Sequence, residues 1–232
     1  MNAFSKIAHA KEHLGYKSGN IYSHTIDKDN AKNFVNGYQK ILNFYKFHLP
    51  AQNKCIDLGC GAGHLTNEFK NHGFDITGLE YSNDALDVAK KHNPHLNIVQ
   101  GDMSKFNEPN SYDFIFSREV YIITRVNAFT DQKNIISNIV HSLKPRGGVF
   151  MLVGSDVSYP DCMNYDLIRK VIKNQGDILV SQKYYEFIFR KFNKFIFGKI
   201  SYKILEILLY PLIAYKSRKG WAKIYIILFK KK

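Results

Sequence analysis

A chain of 232 residues with a hydrophobic fraction of 45%, 17 Phe and 15 Tyr has enough apolar material for one domain with a full core, which excludes an intrinsically disordered protein. Three cysteines, Cys55, Cys60 and Cys162, are an odd number without metal-ligand spacing, so they argue against a disulfide framework or a zinc knuckle and for a reducing compartment. The net charge of +13 is unevenly placed: residues 187–232 hold 12 Lys and Arg against the single acid Glu206, and the body before them is nearly neutral.

The opening stretch MNAFSKIAHAKEHLGYKSGN is too polar for a secretory signal, and no segment approaches the roughly 18 uninterrupted apolar residues of a spanning helix. A cytoplasmic protein is expected. The first predicted element is a helix over 29–46, where Phe34, Tyr38, Ile41, Leu42 and Tyr45 recur at helical spacing on one face. Pro50 ends that segment, and residues 1–50 are expected to form a helical cap. A strand over 54–59 follows, then a helix over 64–73, a strand over 75–80 and a helix over 83–93. Strands over 97–102 and 112–117, a helix over 130–145 and a strand over 148–155 complete the alternating series. Ser82 and Asn83 read as an N-cap and Gly73 as a C-cap.

Strands and helices that alternate this tightly imply right-handed crossovers and a doubly wound α/β core, assigned to residues 51–186. Beyond Ser155 the pattern predicts a helix near Asp166 to Asn174 and a strand over 178–187. A basic, aromatic helical insertion over 187–220 and a final strand within 221–232 complete a mostly parallel seven-stranded sheet with helices on both faces.

The stretch CIDLGCGAGH places Gly59, Gly61 and Gly63 at alternate positions where the first strand turns into a helix. Glycine costs conformational entropy on folding, so such a cluster answers a geometric demand that a Cβ would frustrate. The dinucleotide spacing Gly-x-Gly-x-x-Gly fails, because the third slot is His64. A phosphate-binding loop is also absent, since no Lys or Arg follows before Lys70. Carboxylates stand there instead: Asp57 ahead of the glycines, Glu80 at the end of the second strand, 23 residues beyond Asp57, and Asp102 at the end of the third. Carboxylates accept hydrogen bonds from hydroxyl, amine and ammonium groups and repel phosphates, so the expected ligand is a cationic nucleoside without a phosphate.

The segments CIDLGCGAGHLT, ITGLEYSNDAL, IVQGDMSKF, YDFIFSREV and HSLKPRGGVFMLV stand in the order they take in the class I S-adenosylmethionine-dependent methyltransferases, which the chain resembles from about Lys54 to Gly154. The resemblance implies a Rossmann-like methyltransferase fold with S-adenosyl-L-methionine as cofactor. It implies that Gly59, Gly61 and Gly63, with Cys60 in the same turn, let the backbone approach the methionine moiety, and that Asp57 lies beneath it. By the same resemblance Glu80 takes the ribose hydroxyls, Tyr81 packs on the adenine, Asp102 binds the adenine amine and Met103 adjoins it. Ser117 and Arg118, ending the fourth strand, would line the floor facing the acceptor. Asp113 and His64 are read as structural.

Methyl transfer from a sulfonium is an in-line displacement that depends chiefly on holding the acceptor in a near-attack arrangement. A hydroxyl acceptor also needs a base, for which Glu119 and Tyr121 are the first candidates, followed by Asp156 and, under a folded-over N-terminus, His13 or His24. No further acidic cluster suggests a metal. After the fourth strand the chain reads Ser117-Arg118-Glu119-Val120, not the Asn/Asp-Pro-Pro-aromatic stretch of many methylases that act on amino nitrogens of bases or glutamine, and a Pro-Cys nucleophile for cytosine chemistry is missing. The expected acceptor is thus a small molecule, a lipid-linked compound or a sugar, methylated on oxygen or carbon. An RNA methyltransferase that holds RNA with its basic tail and a non-catalytic cofactor-binding protein are the alternatives. For residues 187–219, peripheral contact with anionic lipid on the inner membrane face ranks above a lid over the acceptor pocket and above nucleic-acid contact.

Overall fold

A computed structural model describes residues 28–124, 129–145, 148–155, 178–218 and 223–230. The sequence-predicted helix near Asp166, together with His13, His24, Asp156 and Cys162, lies outside them.

Helix α1 (Lys28–Phe44) buries Tyr38, Ile41 and Leu42 of the apolar face expected from their spacing, leaves Phe34 half-buried and adds Val35 to the core; Tyr45, expected on the same face, follows the helix half-buried. Strand β1 (Cys55–Leu58) is buried at every position. Helix α2 (His64–Asn71) packs under α1 and ends where Gly73, at φ +87°, returns its N–H to the Lys70 carbonyl. Strand β2 (Ile76–Glu80) leads to helix α3 (Asn83–His92), whose N-cap Ser82 accepts from the Ala85 amide. Strand β3 (Ile98–Gln100) stops before Asp102, which turns the chain into a 3-10 turn at Met103–Lys105. Next come β4 (Phe114–Arg118), a short helix α4 (Tyr121–Thr124) that sequence periodicity does not reveal, α5 (Phe129–Ser142) and β5 (Val149–Ser155).

Strand β6 (Ile178–Tyr185) ends two residues earlier than expected, because Glu186 opens helix α6 (Glu186–Phe192). After a 3-10 turn at Asn193–Phe195 the chain forms α7 (Lys199–Leu208), α8 (Tyr210–Arg218) and β7 (Lys223–Lys230).

The seven strands lie in the order β3-β2-β1-β4-β5-β7-β6. Five of them, from β3 to β5, pair in parallel, and β7 runs antiparallel between β5 and β6. From β1 the chain first winds outward through β2 and β3, then returns to add β4 and β5 on the other side. With right-handed crossovers this reversal places helices on both faces and leaves a crevice at the carboxyl ends of β1 and β4. The fold is the doubly wound α/β architecture expected. No helix among the described residues is long and apolar enough to cross a membrane.

Tyr38 ties α1 to this sheet. Its ring lies 5.7 Å from Phe69 of α2 and 5.1 Å from Phe116 of β4, and Phe69 also meets Phe74 and Phe114. A second aromatic group joins Phe44, Tyr184, Phe189 and Tyr202, anchoring α6 and α7 to the end of α1. Phe69 is fully buried among four rings, so Phe69→Ala leaves a cavity that its neighbours fill only in part. Its expected effect is a loss of about 3–5 kcal/mol of stability, checked by the midpoint of urea unfolding.

Candidate functional site

The glycine turn that joins β1 to α2 takes left-handed backbone at Gly59 (φ +76°), Gly61 (φ +57°) and Gly63 (φ +76°). It is also crowded: a Cβ at Gly59 would fall 2.4 Å from Val120, and one at Gly63 would fall 2.8 Å from Ile98. The glycines therefore serve the turn's own packing as well as any close approach by a ligand. The Gly59 and Cys60 amides both donate to the Leu79 carbonyl, tying the turn to the end of β2.

Glu80 completes that tie. Its carboxylate is buried, with Oε2 accepting from the Gly61 amide at 2.8 Å and Oε1 from the Tyr81 and Ser82 amides at 2.8 Å each. Burial raises its pKa, and the three backbone bonds work in the opposite direction. Asp57 is buried beside it and accepts from the Thr66 hydroxyl at 2.7 Å. Desolvation pushes its carboxyl up to about 7, with Glu80 adding to the rise, while the Thr66 bond and the charge of Arg118 oppose it.

Arg118 closes the other side of the crevice at the end of β4. Its guanidinium lies 3.4 Å from the Glu186 carboxylate at the start of α6 and 4.3 Å from the centre of the Phe34 ring on α1. Glu119 follows at φ +53°, half-buried. Tyr121 opens α4, and its side chain lies outside the described set.

The remaining sequence-derived candidates are dispersed. Asp102, at the end of β3, spends Oδ1 on the amide and hydroxyl of Ser104, and Met103 beside it is buried in the core. Tyr81 is half-buried next to Glu80. The Ser117 hydroxyl donates to the Leu58 carbonyl at 3.1 Å, which turns it toward β1. The Cys60 sulfur faces β2, where a Cβ on Gly78 would lie 2.6 Å from it. Burial holds that thiol well above its ordinary pKa, so it stays protonated and is a poor nucleophile.

The fold thus gathers Asp57, Glu80, the glycines and Arg118 about the ends of β1, β2 and β4. Sequence reasoning gave no role here to Thr66, Phe34, Tyr38 or Glu186. Thr66 stands inside the glycine motif and was the most accessible of the four. Among the described residues no group of acids, histidines and cysteines is arranged to hold a metal ion.

The donor set can be tested against the two nucleotide-like ligands such a turn serves. A phosphate needs free amides and a cation, yet the Gly61 amide is already engaged by Glu80 and the turn's neighbours are carboxylates. A cationic nucleoside needs acceptors for its hydroxyl and ammonium groups. Of the roughly four acceptor positions on Glu80, three are used, leaving one for such a group, and Asp57 and Asp102 add others. These residues fit S-adenosylmethionine.

The methyltransferase-domain family matches residues 50–194. The chain belongs to that family. It is an S-adenosylmethionine-dependent methyltransferase. A Bacillus thuringiensis protein named as an uncharacterized methyltransferase is 28% identical to it over 165 residues, covering 67% of this chain and 73% of the relative. Haemonchus contortus phosphoethanolamine N-methyltransferase 2, solved with S-adenosyl-L-methionine, superposes with a TM-score of 0.58 at 18% identity, over 84% of this chain and 52% of that one. A SAM-dependent methyltransferase from Leishmania major has a TM-score of 0.63 at 13% identity, over 98% of this chain and 83% of its own.

The buried Asp57 gives the methyltransferase a pH signature. Its folded pKa of about 7 lies above the ordinary value, so its contribution to stability is fully present below about pH 4 and is lost as pH rises through 7, at about 1.4 kcal/mol per unit. Asp57→Asn keeps an acceptor for Thr66 without the buried charge. Urea unfolding at pH 8 is expected to find this variant more stable than wild type, with the difference vanishing near pH 4. Calorimetry is expected to find wild-type affinity for the cationic cofactor rising with pH up to about 7, and the Asn variant flat over that range.

Proposed function

We propose that the enzyme methylates oxygen or carbon on a small-molecule, lipid-linked or sugar acceptor. The observation that carries this reading is the buried Arg118–Glu186 pair, which fastens the start of the α6–α8 excursion to the carboxyl end of β4. Phe187, Phe189 and Tyr202 of α6 and α7 are buried against the body, which fixes the excursion beside the crevice. An acceptor entering over β4 would therefore meet a compact, fixed wall, which suits a small or lipid-linked compound better than an extended polyanion. The stretch Ser117-Arg118-Glu119-Val120 at the end of β4 lacks the Pro-Pro element of methylases that act on the amino nitrogens of bases or glutamine, which argues against those acceptors.

When bound, S-adenosylmethionine supplies a methyl group on sulfonium sulfur, and transfer breaks that carbon–sulfur bond with its electron pair left on sulfur while the acceptor's proton passes to a base or water. The chain's own contribution is orientation. Glu80 keeps the glycine turn in register with β2, Asp57 in its ionised form supplies negative charge beneath the cation, Asp102 is the candidate to accept from the adenine amine, and Glu119 is the candidate to take a hydroxyl proton.

Two measurements test this. Calorimetry is expected to find affinity for S-adenosylmethionine reduced at least roughly tenfold in Glu80→Gln and in Asp102→Asn, each removing one charge-assisted acceptor. Incubation with methyl-labelled cofactor and separate lipid, polysaccharide and RNA extracts of the host cell is expected to label the lipid or polysaccharide fraction. Label in RNA overturns the acceptor class, and cofactor binding without label in any fraction favours a non-catalytic binding protein.

A further inference from the structure

The α6–α8 excursion carries an apolar surface that the fold does not use. Helix α7 has two apolar faces: Tyr202 and Leu205 turn inward, with the Tyr202 hydroxyl accepting from the Tyr185 amide at 2.8 Å. The opposite side leaves Ile200 79%, Ile204 53%, Ile207 73% and Leu208 70% exposed. Their spacing of three and four residues makes one continuous stripe on α7, and Leu212 and Tyr215 of α8 are exposed as well. Before α7, Phe195 and Phe197 also stand out, Phe197 at 88%. A monomeric soluble protein rarely exposes so contiguous an apolar surface without an occupant.

The surroundings of this stripe are cationic. Arg190, Lys191 and Lys194 are exposed just ahead of it, and Lys199 and Lys203 run along one edge of α7. Glu206, paired with Lys203, is the single acid of residues 187–232. A concavity of about 400 Å³ opens between the end of α1 and the start of α7, lined by Lys40, Lys46, Lys199, Phe44 and Phe197. Lys40 donates to the Asn193 and Ile196 carbonyls at 2.6 and 3.2 Å and Lys199 lies 3.7 Å from the centre of the Tyr45 ring, so the hollow contributes fixed positive charge beside an exposed Phe that can wedge between acyl chains.

We propose that the outer face of α7 and α8, with Phe195 and Phe197, is an interfacial docking surface for a bilayer rich in anionic phospholipid. The helices lie in the headgroup layer, the stripe of Ile200, Ile204, Ile207 and Leu208 enters the acyl boundary, and the surrounding lysines meet lipid phosphates. Charge complementarity selects this occupant. A second copy of the chain would set the same lysines against one another with Glu206 alone to offset them. RNA would meet a surface whose centre is aliphatic side chains, which cannot stack on bases. The surface stands independently of the acceptor class, because binding is read without methyl transfer.

The test is co-sedimentation of the full chain with vesicles of phosphatidylcholine containing one-third phosphatidylglycerol, and with phosphatidylcholine vesicles alone. Wild type is expected to bind the anionic vesicles at least roughly tenfold more tightly, with affinity falling as salt rises. Ile200→Glu with Ile207→Glu abolishes binding, and Lys191→Ala with Lys194→Ala weakens it roughly fivefold per lysine. Both pairs are exposed, and unchanged calorimetric affinity for S-adenosylmethionine checks that each variant is folded. The proposal is overturned if wild type stays in the supernatant with both vesicle types, or if the variants sediment as wild type does. It is equally overturned if light scattering finds a dimer that the isoleucine pair breaks, or if polyuridylate binds with an affinity that the isoleucine substitutions reduce in place of lipid.

Discussion

A single buried carboxylate sets the working end of this sheet. Glu80 accepts from Gly61, Tyr81 and Ser82, so one side chain joins the turn after β1 to the start of α3. Removing a carboxylate from water is costly, and the three amide bonds offset that cost while fixing the loop. They also decide what the loop can receive. An amide engaged by a carboxylate is withdrawn from phosphate binding, and the residual acceptor capacity of Glu80, Asp57 and Asp102 suits hydroxyl and ammonium groups. The group that packs the glycine turn is thus also the one proposed to meet the methyl-sulfonium cofactor.

The N-terminal helix completes this end of the molecule from above. Tyr38 sits between Phe69 and Phe116, and burial drives its hydroxyl far above the ordinary range, with the Arg118 charge opposing. Phe34, one turn earlier, lies against the Arg118 guanidinium, which also reaches Glu186. Residues from the first, middle and last thirds of the chain therefore converge at the end of β4. A buried ion pair of this kind contributes modest net stability but strongly disfavours arrangements in which either charge loses its partner. It holds the start of α6 against the carboxyl end of β4.

The helices that follow divide their apolar side chains between two environments. Tyr202, stacked on Phe189 and edge-on to Tyr184, anchors α7 to the body, while the isoleucines on its far side remain in water. The basic character of the tail is thereby concentrated around an exposed apolar stripe, although no single clean basic face exists along its helices.

Much of this architecture is local in origin and was legible before any fold was known. Alternating runs such as CIDLG and ITGLE, separated by helical periods and capped by Ser82 and Gly73, place the strands and helices within a few residues, because hydrophobic period and cap chemistry act over one turn or one pleat. The glycine turn and the acids at the strand ends were visible for the same reason. The boundary at Glu186 was not: YYEFIFRKF fits either period, and the break comes from Glu186 meeting Arg118, 68 residues earlier, and from Tyr202 taking the Tyr185 amide. The occupation of Glu80 by loop amides, the turning of Ser117 toward β1 and the insertion of β7 between β5 and β6 also depend on groups far apart in the chain. Hydrogen-bond partners of buried polar groups are chosen by what the folded core brings within about 3 Å, and local periodicity contains no record of that choice.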